Sequence, residues 1–246
     1  MSILARPDRF LSTMAVVVGA ATLLTACGSD DGELPLTGLV LQSDRLPAGY
    51  SVVPADVEDL VAANKRTLDQ SASVAFTPDV CRPTADAAFT TELAADNTVL
   101  LVAQSDTGTL SELVTTVRRD VDADRRTTTG VCAVVTAVPS KGTLAQSRIV
   151  TTSTELPKPT GDAVEQALVL RSDSVTTLPD GKALVRSSLL SNVLVRRANG
   201  DVVTVQLNIG SADSGVKPAA PAEITPPLPQ DEYLALVQAA VDRAAR

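Results

Sequence analysis

Three cysteines, Cys27, Cys81 and Cys132, carry the most reactive side chains of this sequence. Their spacing contains no C-x-x-C, so they form no redox motif of that kind. Histidine is absent altogether. It is the side chain that most readily moves protons near neutral pH, and it is also the commonest metal ligand. Ser-His-Asp and Cys-His hydrolases therefore cannot be built here, nor can a usual zinc site. Paired carboxylates offer another route to hydrolysis. The 29 Asp and Glu residues are scattered without a distinctive spacing, so no pair stands out as acid and base. No catalytic residues, metal ligands or cofactor are expected.

Cys27 stands directly after Leu24-Thr25-Ala26, one apolar residue and two small ones. An apolar run from Leu11 to Leu24 precedes it, behind a short start that carries Arg6 and Arg9. A basic end, an apolar run and a small-residue cleavage site describe an export signal over residues 1–26. The run is 14 residues long, against the roughly 20 that a spanning helix requires. The Leu24-Thr25-Ala26-Cys27 site resembles the lipobox of bacterial lipoproteins. That resemblance implies that Cys27 receives a diacylglyceryl group and that the chain is cut before it. The acyl chains would then hold the protein on the outer face of the cell membrane. An ordinary secretory signal with an unrelated cysteine nearby is the alternative. With Cys27 taken by lipid, Cys81 and Cys132 remain as a pair in an exported domain, where a structural disulfide is expected.

The leader removes Arg6, Asp8 and Arg9, so the mature part is more acidic than the whole chain with its net charge of −8. A negative surface repels phosphate backbones, and nucleic acid is not expected as a partner. Arg118-Arg119 and Arg125-Arg126 bracket Asp120, Asp122 and Asp124, which reads as a mixed, solvated face. Tryptophan is absent, and Tyr50, Phe76, Phe89 and Tyr233 are the aromatic residues of the mature part. Flat rings for stacking sugars or nucleobases are therefore scarce. The core must be aliphatic; a cavity within it would suit a lipid or another apolar guest, and a solid core of the same residues is the favoured alternative.

Gly28, Ser29, Asp30, Asp31, Gly32 and Pro35 make residues 27–45 read as a flexible tether to a single domain over 46–246. Leu46-Pro47-Ala48-Gly49-Tyr50 opens that domain with a turn, and a first strand follows to Val53. Asp56–Ala63 suggests a short helix. Thr77-Pro78-Asp79 suggests the start of a second, running through Cys81 to about Ala95. Val99–Ala103, Cys132–Val138 and Ser147–Thr154 read as strands; Leu110–Val117 suits a strand or a helix, and Val114, Thr115, Thr116 and Val117 favour the strand. The clearest pattern is three long runs, Glu165–Thr177, Ala183–Arg197 and Asp201–Ile209, separated by Asp180-Gly181 and Asn199-Gly200. Such dipeptides signal hairpins in which both turn residues take positive φ, so the runs form an antiparallel meander. In the last run Val203, Val205, Leu207 and Ile209 alternate with Val202, Thr204, Gln206 and Asn208. One face suits the core, the other water or a groove. Five prolines stiffen residues 211–229, and Asp213-Ser214-Gly215 among them is no serine-protease site without a histidine. A last helix over 231–245 gathers Tyr233, Leu236, Val237, Ala240, Val241 and Ala244 into one apolar stripe. The expected fold is α+β, a mostly antiparallel β-sheet with helices packed on one side.

The lipobox, the Leu46–Tyr50 opening, the Cys81/Cys132 pair and the C-terminal helix together resemble a group of actinobacterial, mycobacterial-type lipoproteins of unknown function. That group is related in style to the extracellular sensor domains of mycobacterial serine/threonine kinases. The resemblance implies an extracytoplasmic, sensor-like domain and supplies no catalytic residues. The reading favoured is a non-catalytic binding module whose partner is a small apolar ligand or an envelope protein. An envelope scaffold without a pocket is the alternative, and a carboxylate hydrolase ranks last. An apolar cavity of several hundred cubic ångströms would favour the binding module.

Overall fold

The computed structural model describes residues 34–83, 85–211 and 224–246. The leader, Cys27 and most of the proline-rich connection lie outside them. Among the described residues, nine β-branched or leucine-rich segments pair into one sheet. They are β1 (Ser51–Val53), β2 (Val74–Thr77), β3 (Thr98–Gln104), β4 (Gly108–Thr115), β5 (Val134–Pro139), β6 (Arg148–Glu155), β7 (Val164–Thr177), β8 (Ala183–Arg196) and β9 (Val202–Ser211). Their order is β1-β3-β4-β9-β8-β7-β6-β5-β2, and every pairing is antiparallel. The helices are α1 (Val57–Ser71), α2 (Ala85–Glu92), α3 (Val121–Thr128) and α4 (Gln230–Ala244). The fold class is α+β, as the sequence predicts.

The β7–β8–β9 meander holds the centre. Its two turns are one step looser than the dipeptides suggest. Gly181 and Gly200 have φ of 85° and 92°, whereas Asp180 and Asn199 keep negative φ. The N–H of Gly200 donates to the Arg197 carbonyl at 2.9 Å, and Gly181 does the same to Leu178 at 2.9 Å. One glycine suffices because each loop spreads its reversal over more residues than a two-residue turn does.

Strand alternation gives the sheet two different faces. On the first, Val203, Val205, Leu207 and Ile209 join Leu189, Val193 and Val195 of β8 and Leu110 and Val114 of β4. Helix α4 lays its whole predicted stripe on this face, with Tyr233, Leu236, Val237, Ala240, Val241 and Ala244 all buried. The Tyr233 hydroxyl donates to the Leu207 carbonyl at 2.8 Å, and burial holds its phenol well above the usual range. On the second face, Val57, Leu60 and Phe89 of α1 and α2 pack on Leu100 and Leu113, while Val121 of α3 packs on Leu168, Leu170 and Leu194. The helices thus cover both sides of the sheet and not one. The second face carries its own leucines and must also be shielded from water. Helix α1 leads from β1 at one edge to β2 at the opposite edge, and α2 leads back to β3. The chain therefore crosses this face twice.

The expected tether ends sooner than residue 45. Leu39 and Leu41 lie in the main core at 0% and 2% exposure. Arg197 donates to the Leu34 carbonyl and Arg243 to the Val40 carbonyl, each at 2.6 Å. The Leu41 N–H donates to Glu112 Oε2 at 2.7 Å. Leucines spaced through a Gly- and Asp-rich opening outweigh its polarity, because their burial is what the core rewards.

Two helices also differ from expectation. Helix α1 runs on past Ala63 to Ser71, with Lys65 and Asp69 paired at 2.9 Å one turn apart. The helix expected from Thr77 is broken. Its first part is a single turn, Asp79–Cys81, and α2 begins only at Ala85, beyond Pro83.

Candidate functional site

Register across the sheet places polar side chains at the middle of the second face. Successive partners on β3, β4, β9, β8 and β7 read Leu100, Leu113, Gln206, Asn192 and Leu168. The neighbouring row reads Val102, Ser111, Asn208, Leu190 and Leu170. Each row is apolar at its ends and polar in the centre. Helices α1 and α2 cover the β3–β4 end, and α3 covers the β7–β8 end. Between them lies a groove of about 340 Å³, floored by these rows and walled by Leu60, Leu68 and Phe89 on one side and Thr127 and Thr128 on the other.

The stretch read as a solvated face builds one wall of this groove. Asp120 accepts the Ala123 N–H at 2.8 Å and so starts α3. Helical spacing then turns Val121 and Asp124 inward. Arg119 Nε and Nη2 donate to the two carboxylate oxygens of Asp124, both at 2.7 Å, and the two residues are 7% and 6% exposed. The guanidinium also stacks 4.8 Å above the Phe89 ring. Asp124 Oδ2 accepts a second bond from Asn192 Nδ2 at 2.7 Å, and Asn192 Oδ1 accepts from Gln206 Nε2 at 2.8 Å. A continuous line of hydrogen bonds therefore runs from α3 across β8 to β9. Arg118, the neighbour of Arg119, stays outside and pairs with Glu165 at 3.0 Å. The sequence signal for this wall is the Val121-x-x-Asp124 spacing, one helical turn on one face.

Asn208 supplies the unfinished part of the floor. Its Oδ1 is buried and has no hydrogen-bond partner. A buried acceptor without a donor costs about 1–3 kcal/mol. The alternation of Gln206 and Asn208 with aliphatic residues, predicted for water or a groove, faces the groove.

Cys81 and Cys132 are brought together as a disulfide-capable pair, with Cα atoms 5.4 Å apart. Cys81 closes the turn between β2 and α2, and Cys132 closes the turn after α3. The pair thus ties the two halves of the groove's helical cover at one end, and neither cysteine lines the groove. Beside it Val80 and Val131 stand 72% and 76% exposed.

A second buried acid lies on the other face. Glu112 is 0% exposed on β4, and burial pushes its carboxyl up to about 7 against the Leu41 hydrogen bond and the Arg243 charge. Sequence reading had no reason to single it out, because a glutamate within a strand ordinarily points to water.

No known protein family matches the chain, and no curated protein does. It is similar to the crystal structure of an uncharacterized protein from Mycobacterium smegmatis. The identity is 12%, the match covers 86% of this chain and 97% of that one, and the TM-score is 0.44.

Proposed function

We propose that this chain is a lipid-anchored module on the outer face of the cell membrane, which binds a small ligand in the groove without transforming it. The groove carries the reading. Its volume of about 340 Å³ falls within the roughly 300–1,000 Å³ of small-molecule sites. Its lining of leucines, amides and a mutually neutralised ion pair is suited to holding and orienting a guest. A groove of this size, polar at its centre rather than apolar throughout, favours a binding module over a scaffold without a pocket. Anchoring is supported by the Leu24-Thr25-Ala26-Cys27 site, and export by a cysteine pair placed to close a disulfide. Among the described residues no helix is long and apolar enough to cross a membrane. A sensor-like role fits the same groove.

Native mass spectrometry of the protein purified from its envelope tests the binding reading. A small molecule should accompany the wild-type chain and be lost from Leu190→Trp, whose ring fills the groove. Equal carriage by both chains would refute the groove. Metabolic labelling with a fatty-acid probe tests the anchor: Cys27→Ala should abolish incorporation, and undiminished labelling would refute it.

A further inference from the structure

The sheet ends at β2 in an edge equipped to receive another strand. The Ser140 N–H donates to the Ser73 carbonyl at 2.9 Å, so by register the hydrogen-bonded pairs with β5 fall at Ser73, Ala75 and Thr77. Val74 and Phe76 therefore turn their main-chain N–H and C=O groups away from β5, towards the open side. Pro139, opposite Val74, has no N–H to offer. Edge strands are ordinarily blunted by charge, proline or a bulge. Val74-Ala75-Phe76-Thr77 carries none of these, whereas β1 at the other edge ends against Pro54. Of the large apolar side chains exposed among the described residues, all but Val52 lie on or beside the β2–β5 edge: Val80, Val131, Val134 and Val138. Such a gathering marks a surface that excludes water when it meets a partner.

The two ends of β2 differ in shape and charge. At its start Asp69, Gln70, Ala72, Ser73, Ser140 and Lys141 surround a shallow hollow of about 520 Å³. Beyond its end the turn Asp79–Cys81 projects Val80, 72% exposed, beside the exposed carboxylate of Asp79. We propose that β2 pairs with β2 of a second copy of this chain across a two-fold axis. Antiparallel pairing through the outward groups sets Val74 against Phe76 of the other copy, twice over, with Ala75 facing itself on the axis. Each Val74–Phe76 pair exchanges two main-chain hydrogen bonds, and the half-buried Val74 and Phe76 gain an apolar neighbour. The same register brings Asp79 and Val80 level with Ser71 and Gln70 of the other copy. Val80 then enters the hollow, and Asp79 meets Lys141. Knob and hollow come opposite each other twice, a match that an unrelated strand would not supply, so the edge is committed to a second copy. This pairing is independent of what the groove binds.

Sedimentation equilibrium of the full chain in density-matched detergent reads the association. Wild type should form a dimer that dissociates on dilution. Val74→Pro removes an outward N–H and no bond to β5. Val80→Asp sets a carboxylate against Asp69 in the hollow. Each should weaken the dimer at least about tenfold. Val80→Asp alters an exposed side chain, so it decides the matter if Val74→Pro fails to fold. Oxidation of cysteine variants reads the register. Ala75→Cys should cross-link to its own copy, with Cα atoms about 4.5 Å apart. Thr77→Cys would lie about 13 Å from its copy and should stay single. A wild-type chain that is monomeric at every concentration overturns the pairing, as does a Val80→Asp chain that dimerises as tightly as wild type. The axis at Ala75 is overturned if Ala75→Cys stays single, or if Thr77→Cys cross-links as readily.

Discussion

Replacing Glu112 with glutamine should stabilise the fold above neutral pH and leave it unchanged in acid. Glu112 is fully buried, with Oε2 accepting the Leu41 N–H and Oε1 without a partner. Burial raises its carboxyl from 4.5 to about 7, against the Leu41 bond and the Arg243 charge. Between those values the folded chain keeps a proton that the unfolded chain has released. Stability therefore falls as pH rises through this window, and the loss is complete above about pH 7. At about 1.4 kcal/mol for each tenfold difference in proton affinity, the window amounts to about 3 kcal/mol. Glutamine has nearly the same shape, can still accept the Leu41 N–H and never ionises. With roughly 2–4 °C per kcal/mol for a domain of this size, E112Q should melt about 6–12 °C above wild type at pH 8. At pH 4 the two should melt together. Far-UV circular dichroism is the suitable assay, since the chain has no tryptophan. If E112Q melts below wild type at pH 8, the attraction of the ionised carboxylate to Arg243 outweighs the cost of burying it, and the upward shift is refuted.

Asp124→Ala leaves the Arg119 guanidinium buried without its carboxylate and should lower stability by about 3–5 kcal/mol in urea denaturation. The double variant Arg119→Met, Asp124→Leu should recover most of that loss; equal instability of both would show that the pair matters through something other than its charges. Thiol titration of the unreduced, denatured chain should find neither Cys81 nor Cys132, and replacing both by alanine should cost about 4 kcal/mol in the chain-entropy account. Two reactive thiols would end the disulfide reading. Truncation before Asp231 exposes the face that Tyr233, Leu236, Val237 and Val241 bury. At about 1.5–3 kcal/mol for each large side chain, the shortened chain should be insoluble or melt far lower, and an unchanged melting temperature would show α4 to be dispensable.

What could be read from the sequence was local. The β7–β9 meander and the α4 stripe follow from periods of two and 3.6 within single segments, which water and the core enforce residue by residue. The alternation on β9 set Gln206 and Asn208 on the face left for water or a groove. What escaped is non-local. Leu39 and Leu41 looked like part of a tether because their burial depends on Arg197, Arg243 and Glu112, all distant in the chain. Arg119 and Asp124 looked solvated because Asn192 and Phe89, which bury them, belong to other elements. The groove became visible only with cross-strand register, which sets Ser111 beside Asn208 and Asn192 beside Gln206.

The double crossing of the sheet by α1 and α2 bears on how the protein folds and breathes. The meander assembles from neighbours along the chain, but the cover can dock only after both edges of the sheet exist. Strand β2 must find β5 across the whole β3–β4 hairpin and α3. Contacts of that kind form late, and segments that dock late belong to the lower rungs of local stability. The cover should therefore exchange its amide hydrogens sooner than β8, and sooner still once the Cys81–Cys132 link is reduced.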